Sequence, residues 1–162
     1  MTASVVIREA HPGDAAALWA LQQAAYEPLV ARLPSRPSAL GESEAYLRQR
    51  LERAPVQAVV VHVEGVLVAA GRIEGVAPHG ELKRIAVHPS HQALGLGRKL
   101  VHALEAHAHP LGFIRLRAGA RRRLPGNVAF YERLGYRVVA VEPYPAGIDD
   151  DLVWLEKLLQ AP

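Results

Sequence analysis

The chain has no cysteine in its 162 residues. That absence removes a disulfide framework, a thiolate nucleophile, an iron–sulfur site and any cysteine-containing zinc site. It also lacks a long apolar run, and nothing approaches the roughly 18 uninterrupted apolar residues of a membrane span. The start, Met1-Thr2-Ala3-Ser4 running into Val5-Val6-Ile7 and Arg8-Glu9, has neither the basic region nor the longer apolar core of a secretory signal. A cytoplasmic location is the default expectation. One-sided charge is missing too: 19 Lys+Arg against 16 Asp+Glu give a formal charge of +3, too small and too evenly spread to imply a nucleic-acid partner. There is no internal repeat, no low-complexity segment and no linker long enough to separate domains. Half of the residues are apolar, enough for a real core, and the length fits one domain over 1–162.

What is present reads as alternating elements. Val5 to Glu9 predicts a short strand, and Pro12-Gly13-Asp14 a turn before a helix from about Ala15 through Leu18, Leu21 and Ala25. Leu29 to Ala39, with Pro34 and Pro37, predicts an irregular connection. A helix over about Gly41 to Arg53 follows, with Ala45, Leu47 and Leu51 inward. Pro55 breaks the chain. Val56–Val63 and Val66–Ile73 flank Glu64-Gly65 as a hairpin, and Gly75 to Gly80 is a further turn. Glu81 to Val87 predicts a strand, His88 to His91 a loop, and Gly95 to about His109 a helix facing inward with Leu96, Leu100, Val101, Leu104 and Ala108. Phe113–Ala118 is a strand, Gly119–Gly126 a basic loop, and Asn127–Leu134 a helix closed by Gly135. Tyr136–Val141 and Leu152–Leu158 are the last strands. The sum is an α/β (α+β) fold with a mixed sheet of about seven strands and four helices. The unit from Glu81 to Ala118 forms a parallel crossover.

The run Gln92-Ala93-Leu94-Gly95-Leu96-Gly97-Arg98-Lys99 lies between a strand and a helix. Small residues there let consecutive N–H groups point outward, and with the helix N-terminus they suit phosphate oxygens. A dinucleotide fingerprint would need glycine where Leu100 stands, and a P-loop would need Gly-Lys-Ser/Thr. Taken by itself, the pair of glycines is equally a tight packing turn.

Glu81-Leu82-Lys83-Arg84-Ile85-Ala86-Val87-His88-Pro89, followed by Gln92 to Gly97, resembles the central acyl-CoA-binding motif of the GNAT superfamily of N-acetyltransferases. Asn127-Val128-Ala129-Phe130-Tyr131-Glu132-Arg133-Leu134-Gly135-Tyr136 resembles that family's second motif. The resemblance implies a sheet whose central strand pair splays to admit the pantetheine arm of acetyl-CoA. It implies that Ala86 and Val87 pair with that arm, that the N–H groups of Gln92, Ala93, Leu94, Gly95, Leu96 and Gly97 hold the diphosphate with Arg98 adding charge, and that Asn127 bonds the arm. Tyr131 would protonate the leaving thiolate. Many members have Arg-Gly where this chain has Gln92-Ala93, and Ala93 restricts the backbone if positive φ is needed there.

Other readings of these residues stand beside that one. Tyr131 can simply pack against Phe130. Glu81 is either the base that frees the amine or one half of an ion pair with Lys83; in a regular strand Glu81, Lys83, Ile85 and Val87 share one face. Asn127 suits a helix N-cap as well as a cofactor contact. Arg121-Arg122-Arg123 read as a solvated loop, or as a site for an outer phosphate or an acidic partner. Asp149-Asp150-Asp151 read as a soluble loop or as an attraction for a cationic substrate. Trp19, Trp154 and Phe130 read as core or subunit contacts. Tyr26 and Tyr46 sit on the helices that, in this family, wall the acceptor pocket. The eight histidines have no metal-ligand spacing, and no metal is expected. The leading expectation is direct acetyl transfer from acetyl-CoA to a primary amine, on a small molecule or peptide, through a tetrahedral intermediate; no nucleic acid or membrane partner is expected, and a homodimer is compatible. The alternatives are a non-catalytic acyl-CoA-binding module and a small nucleic-acid-binding domain resting on Arg121–Arg123 alone.

Overall fold

A computed structural model describes residues 3–53 and 57–159. The expected break at Pro55 and strand start at Val56 lie outside the described residues, as do Met1 and Thr2. In chain order the elements are β1 (Val5–Glu9), α1 (Ala15–Tyr26), α2 (Glu44–Glu52), β2 (Ala58–Val63), β3 (Val66–Val76) and β4 (His79–Val87). Then come α3 (Leu96–Ala108), β5 (Arg115–Arg121), α4 (Pro125–Arg133), β6 (Arg137–Pro143) and β7 (Asp151–Leu158). The strands form one sheet in the order β1-β2-β3-β4-β5-β7-β6. Among the described residues only the β4–β5 pair is parallel, as the crossover through α3 requires.

Helices cover the sheet on both faces because the strands carry apolar side chains on both. On one face Leu100, Val101 and Leu104 of α3 and Tyr131 of α4 pack on Val61, Leu82, Leu116 and Leu155. On the other, Leu18, Leu21, Leu47 and Leu51 of α1 and α2 pack on Val60, Ala70 and Ala86. All five positions expected to face inward on α3 are buried. The start of α2 is set by Ser43, whose hydroxyl accepts the Tyr46 N–H at 3.0 Å.

The central strands part company after four residues. β4 pairs with β5 from His79↔Arg115 to Leu82↔Ala118 and no further, although β4 runs on to Val87 and β5 to Arg121. This is the expected splay. Beside it, β4 bulges: Arg72 pairs with Lys83 but Ala70 pairs with Ala86, so Gly71 alone opposes Arg84 and Ile85. Arg84 takes φ +57° there. The bulge overturns the regular alternation expected for this strand. Ile85 and Val87 do face α3, but Glu81 and Lys83 lie on the opposite face with Ala86.

Several boundaries also move. Gly119, Ala120 and Arg121 belong to β5, so the expected basic loop shrinks to 122–124. α4 begins at Pro125 with Leu124 as N-cap, which makes Asn127 an internal residue of the first turn and not the cap. β3 extends to Val76 and β4 starts at His79, which leaves a two-residue turn where a longer one was expected. Trp19 is 42% exposed rather than in the core, and Ala45 is exposed.

Candidate functional site

The gap between β4 and β5 opens into a cleft of about 890 Å³. Its floor comes from Ile85, Ala86 and Val87, and one wall is the turn into α3. Gly95 caps α3 at φ +76°, a left-handed conformation that glycine adopts without steric cost. Ala93 does adopt positive φ, +67°, at the position where alanine is the strained choice. Gln92 fastens the turn by donating from Nε2 to the Val87 carbonyl at 3.2 Å. The first turn of α3 has no acidic residue and carries Arg98.

The charge of the cleft is one-sided. Arg32, Arg98, Arg133, His91 and His102 line it, and among its described lining residues there is no aspartate or glutamate. A helix N-terminus inside such a ring attracts a polyanion. The opening between strands meanwhile offers unpaired main-chain groups to an extended arm. These features fit the diphosphate and pantetheine of coenzyme A.

Two phenols enter the cleft from opposite faces of the sheet. Tyr131 comes from α4, is 7% exposed, and packs edge-on against Phe130 and Tyr136 with centroids at 5.1 and 5.7 Å. Burial pushes its hydroxyl well above the usual range, which keeps it protonated at neutral pH. Tyr26 comes from α1, and its hydroxyl donates to the Ile85 carbonyl at 3.0 Å. Burial of that end pushes it up to about 12. Sequence alone gave Tyr26 no direction, because the bulge that turns the Ile85 carbonyl toward it has no local signature. Tyr46, by contrast, is exposed beside Arg50.

Of the ten nominated cofactor residues, all line this cleft except Leu94, whose side chain is 63% exposed. Glu81 lies elsewhere. It lines a separate groove of about 610 Å³ on the α1/α2 face with His79, Arg115, Arg117 and Glu156. There it pairs with Lys83 at 2.7 Å and Arg117 at 3.2 Å. The structure therefore gathers Tyr131 with the turn into α3 and leaves Glu81 outside that cavity.

The α1/α2 face is closed off by ion pairs that the sequence did not suggest. Arg121 donates to Asp150 Oδ2 at 2.7 Å, and to the carbonyl and hydroxyl of Ser35 at 2.9 and 2.7 Å. It thereby clasps the α1–α2 connection to the β6–β7 connection. Arg122 pairs with Asp149 and Asp151, and Arg123 with Asp149. Arg121 is thus drawn into the fold, whereas Arg122 and Arg123 remain exposed, as expected of a solvated loop, and pair with the aspartates opposite. Trp154 is half-buried on this face, with the Arg117 guanidinium 4.0 Å from its ring centre. Nearer the splay, Glu42 bonds Arg72 through both oxygens, at 3.2 and 2.7 Å, and also accepts from Gln22 at 3.1 Å. Burial pushes the Glu42 carboxyl up, but Arg72, Arg84 and Gln22 together hold it below its ordinary value.

The family model for acetyltransferases of the GNAT family matches residues 16–136, about three quarters of the chain and both motifs. The chain belongs to the GNAT acetyltransferase family. This GNAT chain is 31% identical over 86 residues to a protein of Bacillus subtilis (strain 168) whose name assigns it, provisionally, to the acetyltransferases. That match covers 53% of this chain and 56% of the relative, so the chain aligns with little more than half of that relative's length. The fold is similar to that of the PaiA N-acetyltransferase from Thermoplasma acidophilum in complex with coenzyme A, with TM-score 0.80, 18% identity and coverage of 96% of this chain and 99% of the other. It is also similar to the ribosomal-protein-S18-alanine N-acetyltransferase of Escherichia coli, with TM-score 0.78, 20% identity and coverage of 98% and 96%. Among the described residues no helix is long and apolar enough to cross a membrane.

Proposed function

We propose that this GNAT protein transfers the acetyl group of acetyl-CoA directly to a primary amine, on a small molecule or a peptide, in the cytoplasm. The observation that carries this reading is the cleft at the strand splay, where a carboxylate-free basic wall, a helix N-terminus and a buried phenol meet. The diphosphate is held by main-chain N–H groups of residues 92–97 with Arg98, the arm lies along Ala86 and Val87, and Asn127 bonds it. The amine nitrogen attacks the thioester carbonyl, forming an N–C bond and a tetrahedral intermediate. The C–S bond then breaks, Tyr131 gives its proton to sulfur, and the extra proton on the new amide nitrogen returns to the Tyr131 oxygen, so that neither thiolate nor phenolate accumulates in a site of low dielectric. A primary amine is mostly protonated at neutral pH and must first lose a proton. Glu81 takes that proton through water from its groove, after loosening its pairs with Lys83 and Arg117. Most of the rate gain comes from holding amine and thioester together.

The test is thiol release from acetyl-CoA in the presence of a panel of amines. Release that depends on the amine is the expected result. Tyr131→Phe lowers kcat by about 100-fold or more, the usual scale of general-acid catalysis, and leaves coenzyme A affinity within about two-fold. Acetyl-CoA binding without amine-dependent release identifies a binding module and overturns transfer. Unchanged turnover in Tyr131→Phe across pH overturns the phenol's role.

A further inference from the structure

The bulge in β4 does more than open the cleft, because it changes where an arginine goes. With regular alternation Arg84 would enter the apolar core under α3. The extra residue and the φ of +57° instead turn it to the α1/α2 face, where it reaches Glu42 at 3.2 Å. The oxygen it reaches is already bonded to Arg72 at 2.7 Å. Its Nε is buried and has no partner. Glu74, the other acid of the network, is held by Arg50 at 2.7 Å and Arg72 at 3.2 Å. Three guanidiniums therefore share two carboxylates, and Arg84 is the one left short.

An excess cation with an orphaned donor is costly to bury and is relieved by an anion. Arg84 immediately precedes the cleft floor at Ile85–Val87. The hydroxyl of Tyr26, which bonds Ile85, feels the charges of both Arg84 and Arg72. The unmatched charge thus lies beside the end of the splay, on the sheet face opposite α3 and the phosphate turn. A guanidinium favours a planar carboxylate, and since the Nε is enclosed and one terminal N–H faces Glu42, the remaining terminal N–H groups are the donors for it.

We propose that Arg84 binds a carboxylate of the acceptor, so that the substrate is an amine carrying a carboxylate a few bonds from its nitrogen, as in an amino acid. This rests on the transfer reading above. The experiment compares matched acceptors that differ only there: amino acids and their carboxamides, over small, aliphatic, aromatic and basic side chains, read by thiol release at saturating acetyl-CoA. The amine of a carboxamide deprotonates more readily, so a preference for the acid runs against intrinsic reactivity. The expected result is kcat/KM at least ten-fold higher for acids, with the difference residing in KM. Arg84→Gln closes that gap by raising KM for the acids, and Arg84→Lys restores part of it. A second measurement needs no variant. N-acetyl amino acids are expected to bind the coenzyme A-saturated wild-type protein at least ten-fold more tightly than N-acetyl amino-acid amides, by calorimetry. Equal turnover or equal product binding for the two series overturns the carboxylate site and leaves transfer standing. Absence of thiol release from every amine, with coenzyme A bound, overturns transfer itself and the proposal with it.

Discussion

On the α1/α2 face two arginines and Gln22 converge on Glu42, whose own side chain is only 9% exposed. Its charged form is favoured in the fold, so its contribution is fully present above the unfolded carboxyl value of about 4.3 and is lost as pH falls through the lower folded value. Asp14, bonded to Arg8 at 2.8 Å through each oxygen, follows the same direction. Urea midpoints are expected to hold level from neutral pH down to about 5 and to fall below about 4. Glu42→Gln lowers the neutral plateau by about 3 kcal/mol, because it strands buried guanidiniums, and makes the acid-side fall shallower. A midpoint at neutral pH equal to that of the wild type contradicts this. At this scale the motifs nominate Tyr131, Asn127 and Gln92, and all three line the cleft at the splay. They do not tell which way Arg84 and Tyr26 point, because an added residue in one strand reverses the face of the side chains beyond it and re-aims the Ile85 carbonyl that Tyr26 bonds.

Among the elements, α3 is the one that local rules describe best. Its five inward positions recur at helical spacing, Gly95 precedes it in a left-handed conformation, and Gly112 follows the short turn beyond it at φ +92°. Nothing lies within 4 Å of where a Cβ on Gly95 would stand, so Gly95→Ala meets backbone strain and not a clash. It is expected to cost about 1 kcal/mol of stability by thermal or urea unfolding. It also weakens coenzyme A several-fold, read by calorimetric titration, because it disturbs the N–H groups of the turn. Unaltered affinity would remove the turn from the diphosphate site. The start of α4 differs from the expected one for an identifiable reason: Asn127 has the chemistry of a cap, but Pro125 at the first helical position is the stronger signal. β5 runs further than expected although Gly119 and the arginines have the character of loop residues. The strand persists because Gly119 through Arg121 pair with Leu152 through Trp154 of β7. The glycine also makes room for the Trp154 ring, whose nearest atom would lie 3.1 Å from an added Cβ.

For the whole molecule, the decisive feature is that β4 and β5 touch over four residue pairs and then diverge, with different helices on the two faces. The turn into α3 and Tyr131 lie on the α3/α4 side, and the Arg121 clasp shapes the other. The Asp150 side chain is fully buried, so Arg121→Ala is expected to destabilise by about 3–5 kcal/mol, leaving an unpaired carboxylate. The double variant Arg121→Ala/Asp150→Ala recovers part of that loss, and strict additivity in urea unfolding would disprove the clasp. The sequence by itself determined the order of elements, the apolar face of α3, the glycine turn before it and the family, because each is written in neighbouring residues and their spacing. Only the tertiary structure decided that Arg121 meets partners 29 and 86 residues away, that Arg84 leaves the core side, and that Tyr26 and Tyr131 share one cleft while Glu81 occupies another. Those outcomes depend on strand register and on one bulge, which are set by long-range pairing that no local pattern encodes.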